Sequence, residues 1–120
     1  MTDHALPTPG GPYSSSLRRG NLVFTAGQVG YYPDRTLPDT FEEQARVALR
    51  NLQTALAQQS ATLADVVTVN VFLSNRDDFA AMNAIYREFF THQPLPTRTT
   101  VTVTLNPGVL FEVNAQALLD

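Results

Sequence analysis

Asp65-Val66-Val67-Thr68-Val69-Asn70-Val71-Phe72-Leu73 is the stretch from which the fold is read. Its β-branched residues favour a strand, and alternate positions divide it into two faces. Val67, Val69, Val71 and Leu73 share one face; Val66, Thr68, Asn70 and Phe72 share the other. Both are mostly apolar, which predicts a central strand in a sheet covered on both sides.

Working outward, each flank of that strand predicts a helix. Upstream, Thr40-Phe41-Glu42-Glu43 fits a capping box, with the hydroxyl on the Glu43 N–H and the Glu43 carboxylate reaching back. Phe41, Ala45, Ala48, Leu52, Ala55 and Leu56 then recur at helical spacing to about Ser60. Downstream, Asp77 or Asp78 is a suitable N-cap for a helix to Thr91, with Phe79, Met82, Tyr86, Phe89 and Phe90 as its buried stripe. Two short strands, Tyr13–Leu17 and Asn21–Ala26, precede the first helix, with Arg18-Arg19-Gly20 as their turn. Gly27 and Gly30 flank Gln28-Val29 and suggest a bulge or a close backbone approach. Tyr31 to Asp39 reads as loop, with room for a short strand. The chain closes on Pro94–Leu105, a turn at Asn106-Pro107-Gly108 and Val109–Ala115, which together read as a hairpin. The order β-β-(β)-α-β-α-β-β predicts an α+β fold, a sheet with two helices packed on one face. The opposite face also carries apolar residues, and self-association is the economical way to cover it.

Residues 1–12, with Pro7, Pro9, Gly10, Gly11 and Pro12, read as an extended arm, and residues 13–120 as a single domain. A 43% hydrophobic content suffices for a core in a chain of 120 residues. Cysteine is absent, which excludes disulfides, thiolate metal sites and thiol nucleophiles. All 8 basic residues are arginine, so a Schiff-base lysine and a phosphate-loop lysine are excluded too. The net charge of −3 disfavours a nucleic-acid partner, which would need a basic stripe. No apolar run is long enough for a membrane span, and the N-terminus lacks a signal-peptide pattern, so a cytoplasmic location is expected.

Arg98 and Glu112 are the only formal charges between Phe89 and Leu119, and both sit within predicted strands. A guanidinium offers a rigid fork of donors suited to a carboxylate, and a lone carboxylate can orient or deprotonate water. The alternatives are a rim salt bridge for Arg98 and an ordinary cross-strand pair for Glu112. If the hairpin pairs Thr104 with Glu112, the two charges share a face; a slip of one residue separates them. Asp77-Asp78 reads as helix capping, and Phe89-Phe90 as core or interface. His4 and His92 lack an acid or cysteine partner at ligand spacing, so no metal is expected; nor do Arg98 and Glu112 require an organic cofactor.

The chain resembles the Rid family of small enamine/imine deaminases, also called the YjgF family. The likeness runs from about Gly11 to Ala117. It is carried by Pro12-Tyr13-Ser14, Phe24-Thr25-Ala26-Gly27-Gln28, Asp78-Phe79-Ala80-Ala81-Met82-Asn83 with Tyr86 and Phe89-Phe90, Pro96-Thr97-Arg98, and Phe111-Glu112-Val113. The resemblance implies a chorismate-mutase-like subunit with a mixed sheet, assembled as a homotrimer with ligand clefts between subunits. It also implies hydrolysis of 2-enamino and 2-imino acids to 2-keto acids and ammonia, without a cofactor. Arg98 matches the position that takes the substrate carboxylate, and Glu112 the one that serves the hydrolytic water. Tyr13, Gly27 and Asn83 match positions lining or supporting the cleft. The chain departs from the family pattern at Ala26, where a small hydroxyl residue is usual, at Thr100 in place of a cysteine, and at Asn114 in place of a second acid. Thr100 retains a hydrogen-bonding group at a substrate-binding position. The rival reading is a non-catalytic protein that binds a small carboxylate metabolite on the same trimeric scaffold.

Overall fold

The computed structural model of the chain describes residues 5–120. Its elements, in order, are β1 (Ser16–Arg19), β2 (Leu22–Thr25), β3 (Gln28–Val29), α1 (Phe41–Ala57), β4 (Val66–Leu73), α2 (Phe79–Phe89), β5 (Thr97–Thr102) and β6 (Phe111–Leu118). The strands form one mixed sheet in the order β1-β2-β6-β4-β5, with β3 also paired to β6. Only the β4–β5 pair is parallel. The links from β2 to β4 through α1 and from β4 to β5 through α2 step the same way across the sheet. A shared right-handed crossover then puts both helices on one face.

That face holds the core. Val69, Val71 and Leu73 of β4 and Phe111, Val113, Ala115 and Ala117 of β6 pack beneath Leu49, Leu52 and Leu56 of α1 and Met82 and Ile85 of α2. Phe41 meets Phe111 edge-to-face, ring centroids 6.1 Å apart. Arg46 and Glu88 join the helices at their exposed side through two hydrogen bonds of 3.0 and 2.8 Å. The opposite face of the sheet leaves Leu17, Leu22, Val101 and Leu118 exposed, beside half-buried Phe24 and Phe72.

The central position of Val66–Leu73 is as expected, and so are its two faces from Thr68 to Leu73; only Val66 and Val67 exchange sides. A register shift between Val66 and Thr68 inserts an extra residue, so Val66 is buried with Val69, Val71 and Leu73 while Val67 is 47% exposed. The expected final hairpin is not formed. β4 lies between the last two strands, paired in parallel with β5 on one side and antiparallel with β6 on the other. A strand with apolar residues on both faces gains most from two neighbours, and the Val103–Leu110 segment is long enough to pass its end. Hydrogen bonds from Val103 N–H to Leu73 O (2.9 Å) and from Ser74 N–H to Leu110 O (3.3 Å) hold that passage.

Smaller corrections are local in origin. The first strand starts at Ser16, and its turn is Gly20-Asn21, with Gly20 at φ 57°. The short strand of the following region is Gln28–Val29; Tyr31 to Asp39 contains none. Thr40 does cap α1, accepting from Glu43 N–H at 3.2 Å, but the Glu43 carboxylate accepts from Tyr32 Oη at 3.4 Å instead of reaching back. The helix ends at Ala57 because Ser60 turns left-handed (φ 64°) and Ala61 N–H closes on Leu56 O at 3.0 Å. Asp78 holds the N-cap position of α2, as expected, but without a side-chain hydrogen bond to the helix; Asn75 caps the 3₁₀ turn before it, its Oδ1 accepting from Asp77 N–H at 2.9 Å. Phe79, at the first turn of the helix, is 38% exposed, and Ile85 joins Met82 and Tyr86 as buried. Residues 1–4, including His4, lie outside the described residues.

Candidate functional site

β2 and β3 both pair with β6, and the chain breaks between them at Ala26-Gly27. Thr25 Oγ1 accepts from Ala115 N–H at 3.1 Å on one side of the break, and Ala26 N–H donates to Ser15 O at 2.9 Å on the other. The gap is where Glu112 rises from β6. A Cβ on Gly27 would overlap the Glu112 carboxylate, so glycine here serves close approach and not a turn. Glu112 is half-buried, and burial pushes its carboxyl above the ordinary glutamate range.

This carboxylate faces a cleft of about 520 Å³, lined also by Tyr13, Gly27, Tyr31, Arg35 and Asn106 and closed on one side by Pro7–Gly10. Tyr13 is 54% exposed, and its Oη accepts from Gly10 N–H at 3.2 Å. The wall behind the cleft is held by α1. Asn51, fully buried, donates to Val29 O at 2.8 Å and Tyr31 O at 3.1 Å. Gln44, also buried, donates to Pro38 O and Gly108 O and accepts from Leu110 N–H, at 3.1, 3.0 and 2.9 Å.

Arg98 is elsewhere. On the edge strand β5 it pairs with Val69, whereas Glu112 pairs with Phe72. Val69 and Phe72 project to opposite sides of β4, so Arg98 and Glu112 lie on opposite faces of the sheet. The hairpin register thus does not relate them; the central strand does. Arg98 lies beneath α2, its Cζ 4.8 Å from the Tyr86 ring centroid and 5.9 Å from that of Phe79, with Nη1 3.8 Å from Met82 Sδ. Among the described residues no carboxylate pairs with it. Thr100 shares its face of β5, and both Thr100 Oγ1 and Tyr86 Oη are buried without a hydrogen-bond partner. Burial raises the Tyr86 pKa, partly offset by the Arg98 charge. Asn83 is half-buried on α2, next to Met82.

The sequence-derived residues therefore form two groups: Tyr13, Gly27 and Glu112 at the cleft, and Arg98, Thr100 and Asn83 at the β5–α2 edge. Asn114, at the departure from an acid, accepts a hydrogen bond from Asn70 Nδ2 at 2.9 Å on the exposed sheet face. Sequence reasoning missed Arg35, Tyr31 and Asn106, whose place depends on loop paths with no periodic signal. It counted Tyr86 only as core. Among the described residues no cluster of histidine and carboxylate side chains could hold a metal, and no helix is long and apolar enough to cross a membrane.

The family described as endoribonuclease L-PSP, which is the Rid (YjgF) family, matches residues 3–119. The chain belongs to the Rid family. It is 41% identical over 92 residues to the mitochondrial protein mmf2 of Schizosaccharomyces pombe, spanning 77% of this chain and 72% of that protein. It is 36% identical over 103 residues to a 2-iminobutanoate/2-iminopropanoate deaminase of Dermatophagoides farinae, spanning 84% of this chain and 80% of that one. Among solved structures, Escherichia coli TdcF with bound serine is 32% identical with a TM-score of 0.91, covering 99% of this chain and 97% of that chain. The Escherichia coli YjgF structure is 33% identical with a TM-score of 0.87, covering 93% and 91%. The α+β architecture, a mixed sheet with two helices, is that of these Rid structures.

Proposed function

We propose that this chain hydrolyses 2-enamino and 2-imino acids to 2-keto acids and ammonia, at clefts completed between the subunits of a homotrimer. The observation that carries this reading is the Glu112 carboxylate, half-buried against Gly27 and facing a cleft, with burial holding its proton more tightly than usual. Such a group is suited to taking up and returning a proton. Arg98 supports the reading from the other side, as a guanidinium held by aromatic rings and free of carboxylate partners among the described residues. Each half lacks what the other supplies. In a trimer, the β5 edge of one subunit would bring Arg98, Thr100 and Asn83 to the Tyr13, Gly27 and Glu112 half of the next, and the apolar outer face of the sheet would be covered.

In the reaction, an enamine takes a proton on its β-carbon to become the iminium ion, the protonated form of the imine. Arg98 holds the α-carboxylate through two N–H donors. Glu112 accepts a proton from water as its oxygen adds to the C=N carbon. The resulting carbinolamine takes that proton back from Glu112 on its nitrogen, and as ammonia leaves and the C=O bond of the keto acid forms, the hydroxyl proton passes to Glu112 and on to the departing ammonia. Imines hydrolyse unaided in water, so positioning the reactants and placing one proton acceptor are enough. The family's endoribonuclease name finds little support in the charge of this chain, with no lysine and a net charge of −3.

A second reading, carboxylate binding without chemistry, is favoured by Ala26, which brings no hydroxyl to the cleft. The two are separated by generating 2-aminoacrylate from serine with a dehydratase and following its decay. Faster decay with the protein than in buffer is the expected result; equal rates overturn the hydrolase reading.

A further inference from the structure

Arg35 is the one cation lining the Glu112 cleft among the described residues, and nothing in the reaction above uses it. It stands in left-handed backbone, at φ 66°, where residues other than glycine and asparagine are uncommon. A residue kept in such a conformation is a pointer to function. Its guanidinium is held on two sides: Nη1 donates to Thr8 O at 2.9 Å, and Cζ stacks 4.6 Å from the Tyr31 ring centroid. The missing side chain of Gly10 leaves it room, since a Cβ there would lie 3.1 Å from Nη2. The nearest acid in sequence, Asp34, is engaged by Thr36, whose Oγ1 and N–H donate to it at 2.6 and 3.0 Å. Among the described residues no carboxylate pairs with Arg35. Glu112, the carboxylate that lines the cleft with it, makes no ion pair with Arg35 either. The two groups line one cleft and leave the space between them to a ligand.

We propose that Arg35 makes this cleft selective for dicarboxylic 2-imino acids, its guanidinium taking the side-chain carboxylate while Arg98 takes the α-carboxylate. The proposal rests on the deaminase reading and specifies its substrate class. A planar carboxylate fits the guanidinium fork, and a cation already fixed by Thr8 and Tyr31 loses little freedom on binding.

The test compares the wild type with Arg35→Asn, which removes the charge but tolerates left-handed backbone. 2-Iminoglutarate and 2-iminopropanoate are generated in place by amino-acid oxidases, and the ratio of their kcat/KM values is read. The wild type should favour 2-iminoglutarate, and the ratio should fall about tenfold in Arg35→Asn, as for loss of a charge-assisted contact. Arg35→Glu should lower it further. An unchanged ratio overturns the proposal. Should neither imine be consumed faster than in buffer, the deaminase reading fails, and calorimetry decides the role of Arg35 separately. Tighter binding of 2-oxoglutarate than of 2-oxobutanoate, lost in Arg35→Asn, would sustain Arg35 as a second carboxylate site. Equal binding of the two acids would end it.

Discussion

Glu112 combines two consequences of one placement. Burial disfavours its charged form, so between the ordinary glutamate pKa of about 4.3 and its raised value the folded chain binds more protons than the unfolded one. Stability therefore falls as pH rises through that window. Glu112→Gln abolishes the titration, and its thermal stability should exceed that of the wild type at pH 7 and converge with it below about pH 4. Catalysis runs the other way. With its proton acceptor gone, the variant should lose about 100-fold in kcat on 2-iminopropanoate with little change in KM. The acid limb of the wild-type pH profile should lie above the usual carboxylate range. A variant as fast as the wild type would leave Glu112 without a catalytic part. Arg98 is tested differently. Arg98→Lys keeps the charge beneath α2 but loses the planar fork and its stacking on Tyr86, so kcat/KM should fall about tenfold or more while the fold persists. Wild-type turnover in the lysine variant would remove Arg98 as the carboxylate clamp.

Among the elements, α1 positions the cleft without touching the reacting atoms. Gln44 and Asn51 lie on its sheet-facing side, and their amides satisfy backbone groups of the segments around the site. Gln44→Leu would preserve volume and leave Pro38 O, Gly108 O and Leu110 N–H unpaired. We expect a loss of about 3 kcal/mol in urea unfolding, the scale of several stranded buried polar groups. A loss under about 0.5 kcal/mol would show that water takes over these partners. Gly30 has a related purpose, because a Cβ there would overlap the Gln44 backbone and drive the strand off the helix. The helices themselves were readable from apolar spacing and from Thr40. Their buried polar residues were not, since an amide on a helix face reads as solvent-facing until the neighbouring carbonyls are known.

For the molecule as a whole, the decisive feature is the uncovered side of the sheet. Leu17, Leu22, Val101 and Leu118 are between 39% and 51% exposed there, and Arg98 lies at the edge nearest β5. The proposed trimer covers the first and completes the site with the second. Sedimentation at micromolar concentration should give three times the 13.2 kDa of the chain. A species of single-chain mass with full activity would refute a site shared between subunits.

The sequence by itself determined what local chemistry can specify: the order of strands and helices, the central place of Val66–Leu73, the cap at Thr40, and Arg98 and Glu112 as charges in otherwise uncharged strands. Each follows from a period, a cap or an isolated charge within one segment. Tertiary structure alone decided who sits beside whom. Alternation marks Thr97–Thr102 and Phe111–Leu118 as strands, but it carries no information about the neighbour each will choose, so insertion of β4 between them was invisible. The extra residue at Val67 exchanged the expected sides of Val66 and Val67 for the same reason, because register is a property of two strands and not of one. Arg35 joined the cleft through a loop path without any repeat to read. The separation of Arg98 from Glu112 across the sheet follows from these pairings, and it is what makes one chain half of the proposed site.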